Sequence, residues 1–129
     1  LAMLDNDSNK AAALAESSNG HECYAGSKQA VARWMRRVAP EYARRGVCFN
    51  AIAPGYIETP MTEAVANSEA YGSAIKEFVA SIPIGRSGQT NDVAQLIRFL
   101  LSPEAAFIAG SLIYCDGAHD AMMRTEGLF

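Results

Sequence analysis

Tyr24-Ala25-Gly26-Ser27-Lys28 opens the stretch that decides how this chain is read, and the twenty or so residues after it carry most of the decision. Over residues 24–45 the apolar side chains Val31, Trp34, Met35, Val38 and Tyr42 recur at helical spacing, while Arg33, Arg36, Arg37 and Arg44 take other faces. A helix is expected there, kinked near residue 36 because Pro40 removes one backbone hydrogen bond. Gly46 stands where a left-handed C-terminal cap would end it. Residues 47–52 form a short apolar run broken only by Asn50, the pattern of a buried parallel strand, and Pro54-Gly55 stops it.

Working outward, residues 62–82 read as a mobile helical excursion, with Tyr71, Ile75, Phe78 and Val79 along one face. Residues 83–89 read as a loop. Val93, Leu96, Ile97, Leu100 and Leu101 then mark an amphipathic helix; Thr90 or Asn91 is available to cap it, and Asp92 suits the positive end of its dipole. Ser102-Pro103 ends that helix. A last strand over 111–115 turns at Asp116-Gly117, and a tail runs to Phe129. On the other side, residues 5–22 are polar and Ala-rich, with one short helix over 10–16 and a loop at 17–20. Strand, helical crossover and strand argue for parallel pairing in an α/β sheet. Two strands do not make a stable open sheet, so further strands, a partner subunit, or both are expected to complete it.

Eleven basic against fourteen acidic residues give a net charge of -3, too mild to point to nucleic acid or an acidic membrane as partner. Six of the basic residues fall between Lys28 and Arg45, most simply a solvated helix face. Cys23, Cys48 and Cys115 are widely spaced, and with His21 and His119 they make no metal-ligand pattern, so no metal is expected. A reducing, cytoplasmic setting is the simplest expectation. No apolar run approaches the roughly 18 residues that span a membrane. Leu1-Ala2-Met3-Leu4, followed by Asp5-Asn6-Asp7, is too short for the apolar part of a signal peptide. The start at Leu1 leaves open a trimmed or incomplete beginning.

Tyr24 and Lys28 are four apart on a helix and so share a face. A free phenol titrates near a pKa of about 10, too high for proton exchange near neutrality. A neighbouring ammonium favours the phenolate. Such a pair can give a proton to a carbonyl oxygen, or take one from an alcohol, while hydride moves to or from a carrier.

Beyond the pair come Gly46-Val47-Cys48-Phe49-Asn50-Ala51-Ile52-Ala53-Pro54-Gly55, Tyr56-Ile57-Glu58-Thr59, Gly88-Gln89-Thr90-Asn91-Asp92-Val93-Ala94, Phe99-Leu100-Leu101-Ser102 and Cys115-Asp116-Gly117. In order and spacing this succession resembles the C-terminal half of the short-chain dehydrogenases/reductases. The resemblance implies an α/β fold: the C-terminal part of a doubly wound, Rossmann-type parallel sheet. It implies an NAD(P)-dependent oxidoreductase that interconverts a secondary alcohol and a ketone. Tyr24 would be the acid/base, and Lys28 would tune it and hold the nicotinamide ribose. Pro54, Gly55, Ile57 and Thr59 would line the nicotinamide, with Thr59 contacting its carboxamide. Read without the family, Thr59 is a helix cap before Pro60 and Pro54-Gly55 a strand terminator.

Tyr71-Gly72, Phe78-Val79, the run from Asp116 to Arg124 and the terminal Phe129 are similar to the bacterial 3α-hydroxysteroid dehydrogenase/carbonyl reductase group. That likeness implies a steroid or bulky carbonyl substrate. It makes residues 1–23 the remnant of an insertion before the tyrosine, and residues 62–82 a substrate lid. It also implies a homo-oligomer, dimer or tetramer, pairing through the helix at 93–101 and the strand at 111–115.

Three family features do not appear, and a fourth is altered. The Gly-rich phosphate-cradling turn is absent, as is the residue that selects NAD or NADP. Ser8, Ser17 and Ser18 lie in polar, loop-like sequence, so the catalytic serine is expected upstream of Leu1. The usual Asp-Gly-Gly is here Asp116-Gly117-Ala118. The alternative is a truncated, inactive dimerising or binding module derived from the same fold.

Overall fold

The computed structural model describes residues 2–127; Leu1, Leu128 and the terminal Phe129 lie outside the described residues. The described chain falls into two compact units, residues 2–51 with 108–112, and residues 52–107 with 113–127.

In the first unit, α1 (Ser8–Glu16) is followed by α2 (Gly20–Arg44). α2 starts four residues before Tyr24, inside what the sequence suggested was a loop. The cause is a reciprocal cap: Asn19 Oδ1 accepts from the Glu22 N–H at 2.9 Å, and Glu22 Oε2 accepts from the Asn19 N–H at 3.1 Å. Pro40 is accommodated within α2, four residues before its end. Gly46, at φ 78°, closes it: its N–H reaches Ala43 O at 2.9 Å, and the Val47 N–H reaches Tyr42 O at 3.0 Å. Met35 and Ala39 are buried one turn apart on α2, and Trp34 and Tyr42 both pack on Phe49, at ring centroid distances of 5.8 and 5.3 Å. Burying a side chain the size of Met35 contributes roughly 1.5–3 kcal/mol. Val31 and Trp34, by contrast, are about half exposed.

The strand predicted over 47–52 forms later, as β1 (Ala51–Pro54). Asn50 explains the shift. Its side-chain amide donates to Ile108 O at 2.7 Å and accepts from the Ser111 N–H at 3.0 Å, taking the place of a ladder rung. Backbone pairing proceeds from Gly110 N–H on Phe49 O to Ala51 N–H on Ser111 O.

In the second unit, β2 (Ile57–Glu58) is followed by α3 (Pro60–Ala66) and α4 (Gly72–Ser81), so the excursion at 62–82 is two helices rather than one. The stretch read as a loop contains β3 (Gly88–Gln89), which pairs in parallel with β2: Ile57 opposite Gly88, Glu58 opposite Gln89. Alternation cannot be detected in two-residue strands, which is why the sequence did not reveal them. α5 (Thr90–Leu100) is capped at Gln89, one residue before the predicted caps; Asp92 Oδ2 accepts the Gln89 N–H at 2.8 Å. A 3-10 turn (Pro103–Ala105) and β4 (Leu112–Cys115) follow, and β4 pairs with β1. Bonds at 49/110, 51/111 and 55/115 advance in the same direction on both segments, so these strands too are parallel.

The tail is not irregular throughout, since it holds α6 (His119–Met123). Asp116 nucleates it, accepting from the N–H groups of Ala118 at 3.1 Å and Asp120 at 2.7 Å. Ala118 sits at φ 70°, where glycine would be unstrained, at a cost of about 1–2 kcal/mol. The change from Asp-Gly-Gly noted in the sequence therefore falls on a left-handed residue.

Candidate functional site

The Asn19/Glu22 cap fixes the first turn of α2, and Tyr24 and Lys28 lie further along it on one face. Lys28 Nζ lies 5.4 Å from the centre of the Tyr24 ring, within cation–π range. Tyr24 is 64% exposed and Lys28 is exposed as well. Among the described residues no hydrogen bond or ion pair engages the Tyr24 hydroxyl or the Lys28 ammonium, so phenol and ammonium form an uncommitted donor set. Ser8 opens α1 and Ser17 closes it, with Ser17 Oγ donating to Leu14 O at 3.0 Å, so neither lies on a strand.

Pro54, Gly55, Ile57 and Thr59 belong to the second unit. Pro54 ends β1, and the Gly55 N–H donates to Cys115 O at 3.0 Å. A Cβ on Gly55 would lie 2.8 Å from the Asp116 Cα, so a side chain there is excluded by backbone. Tyr56 O accepts from the Gly88 N–H at 2.9 Å, and a Cβ on Gly88 would collide with Ile57 Cδ1. A side chain at Gly88 would therefore require the Ile57 side chain to move.

Thr59 is the N-cap of α3, with Pro60 in the first turn. Thr59 Oγ1 accepts from the Thr62 N–H at 3.2 Å, and Thr62 Oγ1 accepts from the Thr59 N–H at 2.8 Å. Thr62 Oγ1 donates to Ile57 O at 2.8 Å. With the Thr62 proton committed there, Thr59 keeps its own to donate, either to Thr62 Oγ1 at 3.1 Å or outward. Capping and ligand contact are thus compatible at this hydroxyl.

A polar network behind this segment has no counterpart among the motifs of the sequence. Glu58 Oε1 accepts from the Ser87 hydroxyl, and Glu58 Oε2 from Gln89 Nε2 at 2.5 Å. Ser87 is buried. Arg86 donates to Ser87 O at 2.8 Å and forks onto Asp92 at 2.7 and 3.1 Å. Ser87 is 29 residues from Glu58, so no local spacing could have signalled the contact. The Ser87 hydroxyl, then the Gln89 amide, then the Arg86 charge hold the Glu58 carboxyl below its ordinary range. The Arg86 fork and the Gln89 N–H bring Asp92 down to about 2.

A cavity of ≈ 660 Å³ opens among β2, α3 and α4, lined by Tyr56, Glu58, Thr59, Ile75, Lys76 and Val79. On α4, the Phe78 ring packs at a tilt of 57° against His119 of α6, with centroids 4.8 Å apart, and meets Tyr56 edge-on at 6.2 Å. Among the described residues no group of His, Cys, Asp or Glu side chains is placed to hold a metal ion, and no helix is long and apolar enough to cross a membrane.

Two parallel two-stranded ladders connected through helices make this an α/β protein. The family model described as enoyl-(acyl carrier protein) reductase matches residues 9–118, and the chain belongs to the short-chain dehydrogenase/reductase family. It is 39% identical over 127 residues to the 3-alpha-hydroxysteroid dehydrogenase/carbonyl reductase of Comamonas testosteroni, covering 96% of this chain and 49% of that protein. It is 41% identical over 98 residues to the 3-oxoacyl-(acyl-carrier-protein) reductase of Thermotoga maritima, covering 76% and 38%. The structure of a 3-alpha-hydroxysteroid dehydrogenase from Pseudomonas sp. B-0831 complexed with NADH superposes with a TM-score of 0.85 at 43% identity, over 98% of this chain and 50% of that one. The chain thus spans about half the length of the relatives it matches.

Proposed function

We propose that the protein is an NAD(P)-dependent oxidoreductase that interconverts a secondary alcohol and a ketone, with a steroid-like or other bulky carbonyl substrate. The observation that carries this is the uncommitted Tyr24 hydroxyl with the Lys28 ammonium 5.4 Å from its ring. A nicotinamide cofactor, when bound, supplies or accepts the hydride. Tyr24 gives its proton to the carbonyl oxygen in reduction and recovers it in oxidation. Lys28 stabilises the phenolate and offers its N–H donors to the ribose hydroxyls. Pro54 and Gly55 begin the wall along the nicotinamide, Ile57 continues it, and the free proton of Thr59 meets the carboxamide oxygen.

The bulky-substrate reading rests on the likeness to hydroxysteroid dehydrogenases and on residues 62–82 as a lid. α3 and α4 border a cavity within the roughly 300–1,000 Å³ typical of small-molecule sites. Residues 1–23 are read as what remains of an insertion before Tyr24. Phe99 on α5 and Phe107 beyond it are exposed apolar side chains, and we assign a homodimer contact to the helix at 93–101 and the strand at 111–115 with these two as its apolar anchors.

The test is steady-state turnover by the full-length protein with NADH and NADPH, comparing ketosteroids with small polar sugars. Ketosteroids are expected to be favoured at least about tenfold, roughly what a little more than 1 kcal/mol of differential burial gives. The reverse preference would reject the substrate, and no nicotinamide-dependent turnover would reject the function. Sedimentation of the same protein at low micromolar concentration should show a dimer, and a monomer would remove the α5 contact.

A further inference from the structure

We propose that Glu58 is a positioning residue for cofactor binding: by gripping Ser87 and Gln89, its carboxylate sets the backbone that presents Ile57 and Thr59. This rests on the reading that residues 54–59 line the nicotinamide.

The ladder that carries this segment has two register pairs, Ile57 with Gly88 and Glu58 with Gln89. A parallel pair of that length holds itself only weakly. The carboxylate adds a second attachment at the last paired residue before Thr59. Each of its oxygens has its own donor, the Ser87 hydroxyl on Oε1 and the Gln89 amide on Oε2, which fixes its rotation as well as its position. The donors are themselves held. Ser87 is buried, and its carbonyl accepts from Arg86; Arg86 is forked onto Asp92, which also takes the Gln89 N–H. The chain of contacts thus runs from the first turn of α5 to the residue next to Thr59. On the α3 side, Thr62 Oγ1 fixes Ile57 O at 2.8 Å. Thr62 is part of the α3 cap itself, whereas Glu58 reaches residues 29 and 31 positions away, so it is Glu58 that ties the segment to the second strand.

None of the network's hydrogen bonds involves Tyr24 or Lys28, so its loss should weaken cofactor binding more than it slows chemistry. In the full-length enzyme, Glu58→Ala should raise the KM for the nicotinamide cofactor by about tenfold, the lower range for removing a residue that orients a binding group, while kcat changes less than about threefold. Glu58→Gln should restore most of the affinity, because its amide oxygen still accepts and the Gln89 amide can turn to match it. An unchanged cofactor KM in Glu58→Ala would overturn the proposal, as would a fall in kcat alone. If Glu58→Ala does not fold, Ser87→Ala and Gln89→Ala each remove one arm, and an unchanged cofactor KM in both would overturn it equally. Wild-type protein that neither binds nor turns over a nicotinamide cofactor rejects the proposed function and this inference together. Wild-type turnover with an indifferent Glu58→Ala rejects this inference alone.

Discussion

Tyr24 and Lys28 are fixed to one helix and to little else, whereas residues 54–59 are tethered at almost every position. The helix pair owes its geometry to a local cap and to the pitch of α2. Residues 54–59 are held by Gly55 on Cys115, Tyr56 on Gly88, Ile57 on Thr62 and Glu58 on Ser87 and Gln89. The two regions show two ways of presenting a functional group. On the proposed function, a proton donor must be available, which suits a hydroxyl left unengaged on a rigid rod. A binding wall must then be placed to a fraction of an ångström, which suits a backbone pinned from several sides.

This contrast can be broken by separating activity from stability. Tyr24→Phe removes the exchangeable proton and keeps the ring. Turnover of the full-length protein should fall at least about 100-fold, the lower range for losing a general acid/base. Because Tyr24 is 64% exposed with no bond at its hydroxyl, thermal stability should move by less than about 0.5 kcal/mol. Near-normal turnover would remove Tyr24 from the chemistry, and a large loss of stability would show the hydroxyl to be structurally engaged.

Gly55→Ala should behave in the opposite way. The added Cβ meets backbone at 2.8 Å, so the segment must shift, at a cost of about 1–3 kcal/mol. Thermal unfolding should show a lower midpoint, with cofactor affinity falling alongside it. An unchanged midpoint would mean that the segment is less tightly pinned than its contacts indicate.

The smallest effect concerns pH. Asp92 is depressed from 3.8 to about 2 by the Arg86 fork and the Gln89 N–H, and Glu58 is lowered in the same network. Groups whose folded pKa is lowered contribute stability above their unfolded values, and lose it as pH falls through the folded ones. Stability from this network is therefore present at neutral pH and fades between about pH 4 and 2. Asp92→Asn should lower the thermal midpoint slightly at pH 7 and flatten its decline across that interval. An equally steep decline would place acid sensitivity outside this network.

How much of the fold and site was legible beforehand depends on the range of the interactions. α2 and α5 could be read because helical periodicity is local, and Gly46 was legible as a cap because a left-handed residue favours glycine whatever surrounds it. Their starting points were misplaced by one to four residues. A cap is a competition among neighbouring acceptors, which Asn19 won at α2 and Gln89 took at α5. Tyr24, Lys28, Pro54, Gly55, Ile57 and Thr59 could be picked out as a motif in order and spacing, and their roles belong to the proposed function. The contacts of Glu58 with Ser87 and Gln89 were not readable, because nothing in their spacing indicates that residues 29 and 31 positions apart will meet.

By itself, then, the sequence determined the helical rods, the strand-stopping Pro54-Gly55 and the face shared by Tyr24 and Lys28, since pitch, ring constraint and Cβ sterics act within a few residues. Tertiary structure alone decided the β2–β3 pairing, the shift of β1 to Ala51–Pro54 and the Glu58 network. Two-residue strands and buried hydroxyls carry no periodic signal. They take shape only when the folded backbone brings distant donors and acceptors within reach, where a buried polar group left without a partner would cost about 1–3 kcal/mol.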